Sequence, residues 1–301
     1  MRRRPLPLPE LPPCFPPAFR ALLRDLLAGG ARMRGDRELR DRARRAVLSQ
    51  SGTFVGHRPY VRGDDPRRID WAAAARTGDL FVKLFEEEQR RTATIVLDLS
   101  PRLLVGSPPR ALAARRVAAI VGGLALRQLD GLTVVAPAGG AAAVAQFTGA
   151  GDLDALLRHL ENLPIVPAPP AAAIPLVLQR GVSGRLHWIS DFAEPEAFEL
   201  PLAALRRRGA SLVGWLPSLP EDHDVPRPGY LQVHDPETGT ALAIALDQAL
   251  ADAMRHELGV LRRRQDRLFA QSGCALVRWP APAAERFDLE SWREIVAWCA
   301  R

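Results

Sequence analysis

The sequence predicts an α/β protein with an open, mostly parallel sheet and helices on both of its faces. Segments rich in β-formers alternate with segments of helical character through most of the chain, as such sheets require. Residues 92–99 are a run of β-formers with Asp98 near its end, and residues 185–190 are a second run with Asp191 directly after it. Central parallel strands have this continuous apolar character, and their carboxyl ends face the site in open sheets.

The other elements of this domain follow in chain order from the same two patterns. The predicted strands cover residues 92–99, 132–136, 142–147, 185–190, 210–216 and 274–279. The predicted helices cover residues 110–129, 152–163, 174–180, 196–208, 247–271 and 289–300.

Residues 230–246 interrupt this alternation. Two short β-rich runs, at 230–234 and 240–246, flank residues 235–239, which include Asp, Pro and Gly. These three residue types favour turns. The segment therefore predicts a small β-hairpin inserted in the main domain.

The start of the chain has a different composition. Residues 1–17 are rich in proline and are expected to be extended. Residues 19–28 predict a short helix, because leucines recur along it and a Gly-Gly pair follows as a helix end. The arginine-rich stretch at 31–46 is interpreted as a solvated segment.

Residues 56–88 contain the densest group of Gly, Asp, Arg and aromatic residues. Asp65 followed by Pro66 favours a helix start, so a helix is predicted from Pro66 to about Thr77, ending at Gly78. A strand is predicted over residues 80–85. Four residues at helical spacing are expected to share one face of the helix: Ile69, Ala72, Ala73 and Arg76.

The charges of this segment have two interpretations. In the first, Asp64, Asp65 and Asp70 form ion pairs with arginines in a structural or docking cluster. In the second, the three carboxylates bind a metal or perform acid–base chemistry. The first is preferred, because the arginines outnumber the acids and would compete with any cation. The arginines are Arg58, Arg62, Arg67, Arg68 and Arg76.

This segment resembles the signature of family fifty-eight of the domains of unknown function, and the resemblance extends over roughly residues 35–270. The residues that carry it are Tyr60, Gly63, Asp64, Asp65, Arg67, Ile69, Asp70, Trp71, Ala75, Arg76, Val82, Lys83, Phe85 and Glu87.

The resemblance implies a fold, a partner and domain boundaries. The fold is similar to the von Willebrand factor type A domain, and the partner is a MoxR-type AAA+ ATPase, because family members are commonly encoded beside one. The expected parts are a proline-rich leader with a short helix at 1–34, a signature segment at 35–91, and a type A-like domain with the hairpin and C-terminal helices at 92–301. The signature segment is expected to pack on the main domain.

The type A fold typically holds a divalent cation at the carboxyl edge of its sheet, through hard oxygen ligands. By resemblance, Asp98 and Ser100 match the first two positions of its Asp-x-Ser-x-Ser motif, Thr148 matches a threonine of a later loop, and Asp191 matches the last carboxylate. The third motif position is Arg102 instead of serine. A guanidinium is always charged and cannot donate an electron pair to a cation.

Arg102 therefore decides between two kinds of site. If its side chain points inward, it neutralises Asp98 and Asp191 in place of a metal; it could equally turn toward solvent. An arginine–carboxylate cluster is preferred over a metal site. No cofactor is expected, and Mg²⁺ is the cation that the alternative would use.

Composition limits the class of protein. A chain of 301 residues with 47% hydrophobic residues can bury a sizeable core, and no apolar run is long enough to span a membrane. Three widely spaced cysteines fit a reducing compartment and exclude a cysteine zinc site. A cytoplasmic location is expected. The net charge of +7 has no nucleic-acid-reading motif beside it, so nucleic-acid binding is not expected.

Three functional hypotheses follow. The preferred one is a non-enzymatic protein-interaction module that works with a MoxR-type AAA+ ATPase in assembly, maturation or stress response of client proteins. The first alternative is a metal-dependent hydrolase that uses Asp98 and Asp191, or Asp64, Asp65 and Asp70. The second alternative is a protein that binds anionic surfaces or nucleic acid.

Overall fold

The computed structural model describes residues 11–30, 53–86, 92–129, 131–138, 141–167, 173–179 and 184–299. The chain forms two compact units: residues 1–32 with 91–301, and residues 33–90. Most of the predicted leader and the arginine-rich stretch at 31–46 lie outside the described residues. The predicted domain boundaries, and the packing of residues 35–91 on the main domain, stay predictions.

The elements are numbered in chain order. The strands are β1 (Thr53–Pro59), β2 (Phe81–Glu86), β3 (Thr92–Leu97), β4 (Gly131–Ala138), β5 (Ala141–Phe147), β6 (Arg185–Ile189), β7 (Ser211–Ser218), β8 (Gly229–His234), β9 (Ala241–Leu246) and β10 (Ala275–Pro280). The helices are α1 (Pro17–Gly30), α2 (Trp71–Thr77), α3 (Arg110–Gln128), α4 (Leu153–Asn162), α5 (Ile174–Gln179), α6 (Glu199–Arg207), α7 (Gln248–Gln271) and α8 (Leu289–Cys299).

The larger unit is built on a six-stranded sheet with the order β10-β7-β6-β3-β4-β5. Neighbouring strands are parallel, except that β5 runs antiparallel to β4 at one edge. From β3 the chain first adds β4 and β5 on one side and then returns to the other side of β3 with β6. A crevice at the carboxyl ends of β3 and β6 results from this reversal, and such crevices are where open α/β sheets bind ligands. The predicted open, mostly parallel sheet is confirmed.

Two apolar cores lie on opposite faces of this sheet. Side chains alternate along a strand, and accordingly Ile95 and Leu97 of β3 join one core while Val96 joins the other. The first core includes residues of α1, α3, α4 and α8, and the second includes residues of α5, α6 and α7. Helices therefore cover both faces, as the alternation of elements predicts.

Helix α3 is buried along almost its whole length, and it contacts segments that are far from it in the sequence. Its Arg116 is 3% exposed and donates hydrogen bonds to the backbone carbonyls of Cys14 (2.6 Å) and Ala284 (2.7 Å). The guanidinium also lies over the rings of Phe19 and Phe287, 5.6 and 5.1 Å from their centroids. The segment before α1 and the segment before α8 are thereby fixed to the same helix.

One prediction for the smaller unit is wrong. The single helix predicted over residues 66–77 is absent, because a 3₁₀ turn at Pro66–Arg68 and helix α2 are separated by extended backbone at Ile69. Ile69 pairs with Val82 as an isolated β-bridge, so it does not share a helical face with Ala73. Gly78 ends α2 in the left-handed conformation, as predicted (φ 79°).

The predicted hairpin at residues 230–246 is present, because β8 pairs with β9 antiparallel around the turn at residues 235–240. The predicted strands over 132–136 and 142–147 correspond to β4 and β5, which also pair antiparallel. The helix predicted over 196–208 begins instead as a 3₁₀ turn at Pro195–Phe198, and α6 follows it. Within the described ranges, no helix combines the length and the apolar character needed to cross a bilayer.

We predict that Arg116→Ala strongly destabilises the larger unit. The substitution leaves buried carbonyls without a donor and opens a cavity beside two aromatic rings, which should cost about 2–4 kcal/mol. Urea unfolding followed by tryptophan fluorescence measures the change. The control is Arg263→Ala at an exposed position of α7, with an expected change within about 0.5 kcal/mol. Equal unfolding curves for the two variants would contradict this role of Arg116.

Candidate functional site

The site lies in the crevice where β3 and β6 end side by side. The two strands are paired up to Leu97 and Ile189, and the backbone N–H of Asp98 donates to the carbonyl of Ile189 (2.9 Å). Parallel pairing therefore places Asp98 next to Ser190 and close to Asp191 at one edge of the sheet. The two carboxylates singled out in the sequence share this edge.

Asp98 is almost completely buried, with 6% of its surface exposed. One carboxylate oxygen accepts from the backbone N–H of Ser100 (2.9 Å), and the other accepts from the hydroxyl of Ser190 (2.8 Å). Burial raises the pKa of Asp98, and the nearby charge of Asp191 raises it further, although both hydrogen bonds oppose the shift. The carboxyl group is thus held in place and favours its neutral form more than an exposed aspartate does.

A short 3₁₀ turn at Pro101–Leu104 follows this strand end and aims Arg102 into the site. Pro101, Leu103 and Leu104 of the turn are buried, and the two leucines belong to the first apolar core. Arg102 is the polar residue of the turn, and 18% of its side chain is exposed. Burial of its neighbours therefore fixes the turn and leaves Arg102 at the sheet edge.

The Arg102 guanidinium lies among carboxylates. Its Nη1 donates to Glu194 Oε1 (2.8 Å), while its Nε lies 3.6 Å from Asp191 Oδ2 and 3.5 Å from Glu237 Oε1. Burial lowers the pKa of Arg102, but Asp191, Glu194, Glu237 and Asp98 together outweigh burial and raise it. Of the two orientations left open by the sequence, the structure has the inward one.

The second carboxylate oxygen of Asp191 and the hydroxyl of Ser100 are the remaining polar groups of the site. The other carboxylate oxygen of Asp191 accepts from the backbone N–H of Ala193 (3.1 Å). Ser100 is fully buried, and its hydroxyl has no hydrogen-bond partner among the described residues.

Sequence reasoning missed Glu194 and Glu237 as members of this site. Glu194 lies in the loop after β6, three residues beyond Asp191, and Glu237 lies in the turn between β8 and β9. The position of Glu194 just beyond a strand end could have indicated that it belongs to the site. No sequence pattern could have indicated Glu237, because only the path of the hairpin brings it to Arg102.

Thr148 does not belong to this site, which corrects the prediction. Because β5 runs antiparallel, its last residue, Phe147, pairs with Leu132 near the start of β4. Thr148 therefore lies at the amino edge of the sheet, roughly 20 Å from Asp98, which is the length of a six-residue strand. Its backbone N–H donates to Asp152 Oδ2 (2.6 Å).

In the smaller unit the predicted charge cluster is divided into separate contacts. Arg58 donates two hydrogen bonds to Asp64 (2.7 and 2.6 Å), and this pairing is the main cause that lowers the pKa of Asp64 to about 2. Asp65 accepts from the backbone N–H of Arg67 (3.0 Å) and begins the 3₁₀ turn. Gly63 adopts a φ of 113°, a conformation that favours glycine.

Asp70 serves as the N-cap of α2. Its Oδ1 accepts from the backbone N–H groups of Ala72 and Ala73, both at 3.1 Å. Its Oδ2 lies 2.7 Å from His57 Nε2 and 3.8 Å from Lys83 Nζ, and the bond to His57 is the main cause that lowers the pKa of Asp70 to about 2. The partners of Asp70 are thus a histidine and a lysine, where arginines were predicted.

Of the other signature residues, Val82 is buried, Glu87 lies outside the described residues, and others lie at the surface of this unit. The backbone N–H of Tyr60 donates to the carbonyl of Leu80 (2.9 Å). Trp71 is 65% exposed at the start of α2. Among the described residues of this unit, the exposed arginines are Arg62, Arg67 and Arg76.

Neither group of carboxylates fits a resident metal ion. Across the part of the chain that the structure describes, no cluster of three or more His, Cys, Asp and Glu side chains is arranged to hold a metal. At the sheet edge, a divalent cation bound by Asp98 and Asp191 would have to displace the guanidinium of Arg102. The carboxylates at the sheet edge therefore suit the guanidinium of Arg102 better than a metal ion.

A family model and curated relatives from mycobacteria match the chain. The model of the family described as "Protein of unknown function DUF58" matches residues 56–266. Uncharacterized protein Rv1480 of Mycobacterium tuberculosis and Uncharacterized protein Mb1516 of Mycobacterium bovis are each 29% identical to the chain over 208 residues. Each match covers 65% of this chain, which spans only 64% of the length of either relative.

Two solved structures are similar in outline. The first is an aerotolerance-related membrane protein from Bacteroides fragilis, with 17% identity, a TM-score of 0.40, and coverage of 67% of this chain and 99% of that one. The second is the conserved hypothetical protein BatB from Bacteroides thetaiotaomicron, with 16% identity, a TM-score of 0.40, and coverage of 69% and 96%.

We predict that Arg102→Ser creates a divalent cation site. Removal of the guanidinium leaves Asp98, Ser100 and Asp191 without their positive charge, and oxygen ligands of this kind suit Mg²⁺. The melting temperature of the variant should rise with added Mg²⁺; about 2.7 kcal/mol of stabilisation is expected at a hundred times the dissociation constant. Calorimetric titration gives the affinity.

The matched control for this prediction is Arg102→Lys, which keeps a positive charge in the crevice. Its melting temperature should not respond to Mg²⁺. A melting temperature of Arg102→Ser that stays constant as Mg²⁺ increases would show that the guanidinium does not occupy a cation position.

We predict that Asp98→Asn is at least as stable as wild type at neutral pH. The pKa of Asp98 is higher in the folded protein than in the unfolded chain, so the folded protein binds this proton more tightly. The free energy of unfolding therefore decreases as pH rises from about 4 through the raised pKa. Asparagine carries no charge: its single amide oxygen can accept from the N–H of Ser100, and its amide NH2 can donate to Ser190 Oγ in place of the bond that this hydroxyl now donates. Each pKa unit corresponds to about 1.4 kcal/mol.

Urea unfolding at several pH values tests this expectation. The advantage of Asp98→Asn should disappear below about pH 4, where the wild-type carboxyl is protonated in both states. Asp98→Ala loses both hydrogen bonds and should be less stable than wild type at every pH. If Asp98→Asn and Asp98→Ala are equally destabilised at pH 7, the prediction is wrong, because the charge of Asp98 then does not destabilise the folded state.

Proposed function

The chain belongs to the DUF58 family of proteins of unknown function, and we propose that it is a non-enzymatic protein-interaction module. In this proposal the larger unit is a domain similar to the von Willebrand factor type A fold. It presents the carboxyl edge of its sheet to a MoxR-type AAA+ ATPase, and the pair acts in assembly, maturation or stress response of client proteins.

The observation that carries the proposal is the position of Arg102. Its guanidinium is held at the sheet edge by contacts with Asp191 and Glu194, so the crevice contains a fixed cation with planar donors. Arginine is enriched among the residues that dominate binding energy at protein interfaces. A charge fixed in this way suits the recognition of a partner surface.

The carboxylates of the chain give less support to a hydrolase. Both oxygens of Asp98 already accept hydrogen bonds, and the residue is buried. Asp64 is bound by Arg58, and Asp70 caps α2. A general base needs a carboxylate within hydrogen-bond reach of the proton that it removes, and these groups are engaged in local structure.

The acidic groups at the crevice also weigh against nucleic acid as the ligand of this site. Asp191, Glu194 and Glu237 surround Arg102, and these carboxylates would repel the phosphates of a nucleic-acid backbone. A protein surface can match such a mixture of charges side chain by side chain.

We predict that the full chain recovers a MoxR-type ATPase of the same organism in a pull-down from a co-expression lysate. Arg102→Glu reverses the charge at the centre of the proposed surface and should reduce recovery by about tenfold or more. Thermal unfolding of each variant verifies that it is folded at the assay temperature.

The matched control is Arg207→Glu, at an exposed position near the end of α6. α6 leads into the start of β7, at the amino edge of the sheet, so this change should leave recovery within about twofold of wild type. The proposal fails if wild type recovers no ATPase, or if Arg102→Glu and Arg207→Glu recover as much as wild type.

A further inference from the structure

The β8–β9 hairpin reaches the crevice with its tip. Glu237, in the turn of this hairpin, places Oε1 3.5 Å from Arg102 Nε. The other carboxylates at Arg102 belong to Asp191 and Glu194, which follow β6 directly. Glu237 is therefore the acidic group of the site that comes from a separate, protruding element.

The turn is organised to present Glu237. The carboxylate of Asp235 accepts from the backbone N–H of Glu237 (2.9 Å) and from the hydroxyl of Thr238 (2.6 Å). The backbone N–H of Asp235 donates to the carbonyl of Thr240 (2.8 Å), and Gly239 supplies the left-handed conformation that closes the turn (φ 68°). Glu237 is thus carried on an internally hydrogen-bonded tip.

The strands behind this tip make few contacts of their own with the rest of the unit. Tyr230 is 94% exposed, Leu242 62% and Val233 46%. At the base of the hairpin, Leu246 is buried and the next residue, Asp247, caps α7. The hairpin is therefore an arm fixed at its base, with the contact of Glu237 at its tip.

The contact between Glu237 and Arg102 is weak, and Arg102 has further N–H groups that can donate hydrogen bonds. The Glu237 side chain is 35% exposed, and ion pairs of this length and exposure contribute little. Nε and Nη2 of Arg102 are buried without a hydrogen-bond partner among the described residues, and the hydroxyl of fully buried Ser100 is in the same state. All three groups can donate to a carboxylate.

We propose that Glu237 is a resident occupant of a carboxylate-binding position at Arg102, and that an acidic side chain of a protein partner replaces it when the hairpin moves away. The inference rests on the proposed function, because it names the group of the partner that the crevice recognises. Exchange of one carboxylate for another leaves the net charge beside Asp191 and Glu194 unchanged. Tyr230 and Leu242, exposed on the arm, add apolar contact area for the same partner.

The test uses the resident turn itself as the probe. A cyclised, fluorescein-labelled peptide of residues 234–240 is titrated with the full chain, and binding is followed by fluorescence anisotropy. Glu237→Gln removes the charge of the resident group and keeps its size. The variant should bind the peptide about two- to fivefold more tightly than wild type, because the weak internal competitor no longer holds the position.

Two matched controls isolate the carboxylate. A peptide with glutamine in place of its glutamate should bind the Glu237→Gln variant about two- to fivefold more weakly than the original peptide. The variant Glu257→Gln, at an exposed position on α7, should bind the original peptide as wild type does.

The outcomes separate this inference from the proposed function. Equal affinity of wild type and Glu237→Gln, or equal affinity of the two peptides, overturns the carboxylate site even where the ATPase is recovered in the pull-down. Binding of the peptide in the expected order, with no recovery of ATPase by wild type, supports the carboxylate site and removes the ATPase as its partner.

Discussion

The pairing of Arg102 with the carboxylates in the crevice is the interaction on which the arrangement of the site depends. Parallel strands β3 and β6 end side by side, and each delivers an aspartate, so two negative charges meet in a largely buried place. Without a positive charge, desolvation and repulsion would both oppose this arrangement. Arg102 supplies that charge from a 3₁₀ turn whose apolar residues are anchored in the core.

A cation that belongs to the chain gives the site a different character from one that binds reversibly. Its charge does not depend on the concentration of an ion, and its planar donors prefer carboxylates in defined directions. It also brings in groups from elsewhere in the unit, since Glu194 and the hairpin residue Glu237 both contact it. The crevice, the loop after β6 and the hairpin thereby become one surface.

Much of the fold could be predicted from sequence, because its elements are set by local patterns. The strand containing Ile95 and Val96 is apolar on both faces, and this marks a central parallel strand before any contact is known. The failure at residues 66–77 has a cause outside the local pattern. Asp70 is both a helix cap and a partner of His57, and the bridge between Ile69 and Val82 requires extended backbone where the helical pattern alone predicted none.

By itself, the sequence determined the elements, the open α/β sheet and the two strand ends that carry Asp98 and Asp191, because periodicity and turn residues act over short distances. Only the tertiary structure decided which groups meet there. The antiparallel course of β5 takes Thr148 to the opposite edge, and the path of the hairpin brings Glu237 to Arg102. Such encounters between residues far apart in the chain depend on strand direction and on the packing of whole elements, which no local pattern encodes.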